Sequence, residues 1–161
     1  MILGFGRSHT PLVFRPADIG DARAVAEIHA ASFDLPWGLM EFERLIMEDN
    51  ILAHVAVGGG RSDPAEAFVL SRLAADEAEI LSIAVNPKRR GQGLSGKLLD
   101  VHRDMLVLNR IRTLFLEVED GNKPALALYA RQGFTEVSRR DAYYRKSDGS
   151  AATALVMRRT L

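Results

Sequence analysis

The chain has 161 residues, with 21 Lys plus Arg balanced by 21 Asp plus Glu, 47% hydrophobic residues, 26% charged residues and no cysteine. That length holds one core rather than two, the composition is too apolar for disorder, and the balanced charge argues against an obligate nucleic-acid binder. Without cysteine there are no disulfides, thiol nucleophiles or thiolate metal sites, and no apolar run reaches the roughly 20 residues that span a bilayer.

Residues 1–11 read as a flexible extension ahead of one domain over 12–161, with no signal-peptide pattern and a cytoplasmic setting expected. Residues 12–15 (LVFR) read as a first strand, and Asp18 is a candidate N-cap for a helix over 18–31. Ile19, Ala22, Val25, Ala26, His29 and Ala30 give that helix one apolar stripe. Phe33 to Gly38 breaks it, and residues 39–49 resume a helical pattern. Strands are predicted over 51–57, 67–73 and 79–85, with residues 74–77 as a hairpin turn. The most regular helix covers 94–109, with Leu94, Leu98, Val101, Met105 and Leu108 along one side. A strand over 113–119, a helix over 123–132 ended by Gly133, and strands over 134–139 and 152–158 complete the chain. Antiparallel strands followed by a βαβ crossover imply an α/β fold with one mixed sheet and helices on both faces.

Chemistry concentrates in Ile83-Ala84-Val85-Asn86-Pro87-Lys88-Arg89-Arg90-Gly91-Gln92-Gly93-Leu94-Ser95-Gly96-Lys97. An apolar strand, a basic glycine-rich turn and a helix start together make an anion cradle. Glycines reach φ > 0 and let successive amides converge on phosphate oxygens, and the helix adds unpaired N–H groups and its positive end. The plain alternative is a connector that needs glycine only for its turn. The segment lacks the Lys-Ser/Thr of a P-loop and the third glycine of a dinucleotide fingerprint.

This segment resembles the pyrophosphate loop of the GNAT superfamily of N-acetyltransferases, Arg/Gln-x-x-Gly-x-Gly/Ala, with Arg90-Gly91-Gln92-Gly93-Leu94-Ser95 as the match and Ser95 as a departure at the last position. A second stretch, Leu116-Glu117-Val118 through Asn122, Ala125 and Tyr129 to Gln132-Gly133-Phe134, is similar to the strand, helix and Gly-Phe turn of the same superfamily. With Pro36-Trp37 and Tyr143-Tyr144 it resembles the RimI type, which acetylates the N-terminal alanine of a small-subunit ribosomal protein; the likeness runs over about 12–159.

The resemblance implies a mostly antiparallel sheet of about seven strands, with the fourth and fifth splayed, and about four helices. It also implies direct acetyl transfer from acetyl-CoA to an amine, with no metal. Backbone of Ile83, Ala84 and Val85 would meet the thioester and pantetheine, and Arg90, Gly91, Gln92, Gly93, Leu94, Ser95 and Gly96 the diphosphate. Tyr129 is the implied general acid and Glu117 the implied base, acting through water; Asn122 caps its helix or touches the cofactor. Trp37, Tyr143 and Tyr144 are candidate acceptor contacts, with Trp37 equally a core anchor and only one of the tyrosines facing the cleft. The acidic run Glu41, Glu43, Glu48 and Asp49 is a solvated face or an attractant for a basic peptide. The four histidines show no ligand spacing. The acceptor implied is a protein N-terminus, without nucleic acid or membrane contact, and the chain is expected as a monomer or weak dimer. A small amine, an antibiotic or a lysine as acceptor, or an acyl-CoA-binding module without activity, are the competing readings.

Overall fold

A computed structural model describes residues 11–60 and 62–161, and the expectation for residues 1–10 lies outside them. The strands are β1 (Val13–Pro16), β2 (Ile51–Val57), β3 (Ala65–Ala74), β4 (Glu77–Val85), β5 (Thr113–Glu119), β6 (Thr135–Arg145) and β7 (Ala151–Thr160). The α-helices are α1 (Ala22–Ala30), α2 (Leu39–Met47), α3 (Leu94–Leu108) and α4 (Lys123–Arg131), and all elements follow in the predicted order. One sheet runs β1-β2-β3-β4-β5-β7-β6, antiparallel except for the parallel β4/β5 pair. Among the described residues no helix is long and apolar enough to cross a membrane.

Two apolar layers sandwich this sheet. Val25 and Ile28 of α1 and Phe42 and Leu45 of α2 pack on Val55, Phe68 and Leu70. On the opposite face Leu98 and Leu106 of α3 and Tyr129 of α4 pack on Val69, Ile80, Leu114 and Leu116. Strand β3 is buried on both faces, which is why Ala67-Phe68-Val69-Leu70 is continuously apolar. Strand β5 alternates: Leu114, Leu116 and Val118 are buried, while Phe115, Glu117 and Glu119 lie on the other face.

One irregularity places the site. Leu70 pairs with Ser82 and Ser71 with Ile80, so Leu81 is an extra residue, a β-bulge in β4. Ala78 and Ile80 pack in the α3/α4 layer before it; beyond it Ile83 and Val85 do, a switch in alternation that a bulge produces. Ile80–Leu116 is also the last pair joining β4 to β5, and past it the two strands separate. Every second amide of β4 beyond that point faces a gap instead of a partner strand.

Three expectations change. Asp18 caps a short 3-10 turn, Ile19–Asp21, and α1 starts only at Ala22; Asp21 closes the capping box and is clamped by Arg15 at 2.7 and 2.9 Å. The buried stripe of α3 turns from Leu94 and Leu98 onto Leu99, His102 and Leu106, leaving Leu108 73% exposed. Strand β6 extends to Arg145, so Tyr143 and Tyr144 sit within a strand rather than in a connector.

His102 enters the core because its polar atoms are matched there. Its Nε2 lies 2.7 Å from Ser71 Oγ and its Nδ1 lies 2.8 Å from His54 Nδ1, all three residues being buried. Among the side-chain polar atoms of Ser71, His102 and His54, only His54 Nε2 is buried without a partner.

Candidate active site

The turn after β4 is built locally. The Asn86 carboxamide oxygen accepts from the Lys88 N–H (3.1 Å) and its nitrogen donates to Glu66 (2.8 Å), holding the 3-10 turn Pro87–Arg89. Gly91 and Gly93 then both take φ near +74°, where a side chain is strained, and a Cβ at either would meet nothing within 4 Å. Backbone conformation, not crowding by protein, therefore demands glycine, and the space beside the turn is open. Gly93 is the N-cap of α3 and supplies no side-chain cap, so the amides of Leu94, Ser95 and Gly96 keep the unpaired donors and positive end of a helix start.

The left-handed positions are Gly91 and Gly93, and Ser95 is the second residue of α3. Arg90 stands just ahead of the first of these glycines. Its side chain folds back to the Val85 carbonyl (3.3 Å) and Ser32 Oγ (3.0 Å), bracing the turn against the end of α1. Its side chain lies beside the cavity that Ile83, Val85, the glycine turn, Ala125, Leu128 and Tyr129 line on this side, a volume of about 530 Å³.

A second cavity of about 520 Å³ opens on the other side of the gap. Its walls come from the α1–α2 loop, from Ile80 to Ile83 of β4, from Leu116 to Glu119 of β5, and from the end of β6. Ile83, Ala125 and Tyr129 line both cavities, so the two meet where β4 and β5 part. Trp37 lines this second cavity and also packs on the α1/α2 core, stacked on His29 with centroids 5.0 Å apart. Tyr144 is half-buried and faces the cavity, whereas Tyr143 is 49% exposed, lies outside the lining, and carries Arg140 over its ring.

Glu117 lines the second cavity with one carboxylate oxygen 2.9 Å from Arg140, and Glu119 is likewise paired with Lys146 at 2.7 Å. Tyr129 is 6% exposed and packs edge-on to Phe134. Burial, and then the neighbouring Tyr144, pushes its phenol up to about 12. Tyr144 is pushed equally high, by burial and then by the Glu117 carboxylate. Asn122 caps α4 by accepting from the Ala125 N–H at 3.2 Å, and it also lines the second cavity. Among the described residues no group of three or more His, Cys, Asp or Glu could hold a metal ion.

Four contributors lay beyond sequence reasoning. His29, buried and pushed down to about 4 by burial, accepts the Trp37 N–H on Nδ1 and so sets the cavity wall. Ser82, beside the bulge, lines the same cavity and its buried hydroxyl has no partner. Asp34 accepts from both the N–H (2.6 Å) and the hydroxyl (2.8 Å) of Ser147, tying the α1–α2 loop to the β6–β7 hairpin across the cavity mouth. Contacts spanning 113 residues leave no local pattern to read. Those two donors hold the Asp34 carboxyl below the usual carboxylate range.

The acetyltransferase (GNAT) family model matches residues 23–134. The chain is 30% identical over 137 residues to the ribosomal protein bS18-alanine N-acetyltransferase of Haemophilus ducreyi, covering 85% of this chain and 92% of that one. It is 37% identical over 136 residues to the N-alpha-acetyltransferase RimI of Mycobacterium tuberculosis, covering 83% and 84%. The crystal structure of the ribosomal-protein-S18-alanine N-acetyltransferase from Escherichia coli superposes with a TM-score of 0.84 at 29% identity, covering 93% of this chain and 94% of that one. The splayed parallel pair, the glycine turn at the start of α3 and the breadth of these matches agree: the chain belongs to the acetyltransferase (GNAT) family.

Proposed function

We propose that this N-acetyltransferase moves the acetyl group of acetyl-CoA to the N-terminal α-amine of a protein, with a small-subunit ribosomal protein as acceptor. The observation that carries the reading is the junction of two cavities at Tyr129. One is built from main-chain donors suited to a diphosphate and the other is an aromatic-walled slot whose mouth is bridged by Asp34 and Ser147. Acetyl-CoA supplies an activated acyl carbon and a thiolate leaving group. The amides at Gly91–Gly96 bind the diphosphate, and the unpaired amides of β4 beyond Ile80 orient the thioester and donate to its oxygen as charge develops. Glu117 takes the ammonium proton through a water, and Tyr129 donates its O–H to the departing sulfur.

Base strength favours a chain end over lysine. An α-amine titrates near 7.7–8 and a lysine near 10.4, so at neutral pH the neutral, attacking fraction of the α-amine is roughly two to three powers of ten larger. A carboxylate already paired with Arg140 suffices for that smaller task. Peptides matching the acceptor's N-terminus, with free or blocked α-amines and with lysine as the alternative, test the reading by mass spectrometry. Modification of the free α-amine alone is the expected result; acetylation of lysine in the blocked peptide overturns it.

Glu117→Gln is expected to lower kcat/KM for the peptide about tenfold with donor affinity unmoved. An unchanged kcat/KM takes Glu117 out of the base role. Asp34→Ala removes the tie across the mouth, and the expected change is a rise of up to about fivefold in acceptor KM with donor affinity unmoved. Steady-state kinetics with each substrate varied in turn separates the two.

A further inference from the structure

Strand β6 departs from a regular ladder beside the acceptor cavity. Arg140 pairs with Ala154 of β7 and Tyr144 with Ala152, so four steps along β6 match two along β7. Asp141, Ala142 and Tyr143 take up the excess, with Ala142 at φ 52°, a conformation that side chains disfavour. The detour has a definite result. Arg140 and Tyr144 become successive neighbours on one face of the sheet, the face that carries Glu117 and Glu119. Ala154 lies between Arg140 and Glu119 in the ladder, fully buried and too short to block a side chain that crosses β7. The Arg140 guanidinium ends on Glu117 instead, 2.9 Å from Oε1, while Lys146 holds Glu119 at 2.7 Å. Tyr143, the last residue of the detour, sets its ring beneath the same guanidinium, 5.1 Å away.

A general base must stand within hydrogen-bond reach of the proton it takes, and small errors in its position are costly. A glutamate alone is poorly suited to that, because its long side chain has much rotamer freedom. Its carboxylate has two oxygens, however, so one can be held while the other accepts. We propose that Arg140 is the positioning residue of the base: it fixes Glu117 over the acceptor cavity through Oε1 and leaves Oε2 to take the proton from the amine by way of water. The inference rests on the base role proposed for Glu117. Stability does not explain the arrangement. The Arg140 side chain is 52% exposed, and ion pairs so open to solvent contribute little to folding. The left-handed Ala142 and the ring of Tyr143 serve to aim the guanidinium.

Steady-state kinetics of the full chain on the peptide with a free α-amine, run as a double-mutant cycle with Glu117→Gln, tests this. Arg140→Ala is expected to lower kcat about fivefold, with the KM of peptide and of acetyl-CoA each within about twofold. Arg140→Lys keeps the cation without the planar fork and should recover part of that loss. In the Glu117→Gln background, Arg140→Ala should change kcat by less than about twofold, because the group it aims is already gone. The midpoint of urea unfolding should not move in Arg140→Ala. A fivefold loss in both backgrounds overturns the inference, since Arg140 then acts on the acceptor directly or through the fold. So does a loss of rate that comes with a lowered urea midpoint. Wild-type kcat in Arg140→Ala beside an impaired Glu117→Gln overturns the positioning role alone. Wild-type kcat/KM in Glu117→Gln removes the base itself, a different failure.

Discussion

A Tyr129→Phe variant keeps its fold and its affinity for the donor and loses about a hundredfold in kcat. The fold survives because the ring, not the hydroxyl, makes the packing: Tyr129 is buried against Phe134 with centroids 5.7 Å apart. Chemistry is expected to suffer because Tyr129 lines both cavities at their junction, between the proposed donor and acceptor. Pushed up to about 12 by burial and then by Tyr144, the phenol stays protonated at every working pH. It is a weaker acid than a thiol, which titrates near 8.5, so its part is a strong hydrogen bond to the forming thiolate rather than early proton release. Two measurements check this. The wild-type pH–rate profile should show no loss from Tyr129 below pH 10, since its folded value lies near 12. A thioester with a more acidic thiol should recover much of the rate lost in Tyr129→Phe, because such a leaving group needs less help. Unchanged kcat in the variant with CoA thioester dismisses the role.

The order of elements was legible because most segments keep a clean period. Strand β5 alternates over Leu114, Leu116 and Val118, and α4 lies between an Asn cap and a Gly at its end. Legibility ended where tertiary pairing overrode the local pattern. The Leu81 bulge follows from how β3 and β4 register against each other, and nothing in Ile80-Leu81-Ser82-Ile83 announces it. Strand β6 is exposed along nearly its whole length, so it has no apolar face to betray it. Its register slips at Val137 and again over Asp141–Tyr143, where Ala142 takes φ 52°, and those slips erase the period-two signal. Residue types in the glycine turn were readable, but which glycines take the left-handed conformation was not: that depends on where α3 begins, and Gly93 is its cap. On the acceptor side Trp37 and Tyr144 were identifiable as aromatics near the cleft, whereas His29 and Asp34 act through partners fixed only by folding.

Acidification is expected to destabilise this chain from pH 6.5 downward, and the buried histidines are the reason. Burial pushes His102 down from 6.5 to about 3, with His54 beside it adding to the effect, and pushes His29 down to about 4; His54 is lowered as well. In the unfolded chain each ring titrates near its ordinary 6.5, so below that pH the unfolded state binds more protons than the folded one. The stabilisation is therefore whole above pH 6.5 and is lost as pH falls toward 4 and then 3. Each such group removes about 1.4 kcal/mol per pH unit, so His102 and His29 together cost roughly 5 kcal/mol between pH 6.5 and 4.5. That is comparable to the whole stability of an ordinary domain. The structure also says what fails first on each side of the sheet. A charged His29 can no longer accept the Trp37 N–H, which loosens the acceptor wall, and a charged His102 puts an uncompensated charge among the buried Ser71 and His54, where α3 packs on β2 and β3. Urea unfolding at pH 7.5, 6.5, 5.5 and 4.5 should show this steep fall. A His54→Phe, His102→Leu double variant should flatten it by more than one group's worth, since both rings it removes are lowered, and proton uptake measured on unfolding of the wild-type chain at pH 5.5 should approach two or more per chain. An identical slope in that variant, or uptake near zero, contradicts the assignment of acid sensitivity to these rings.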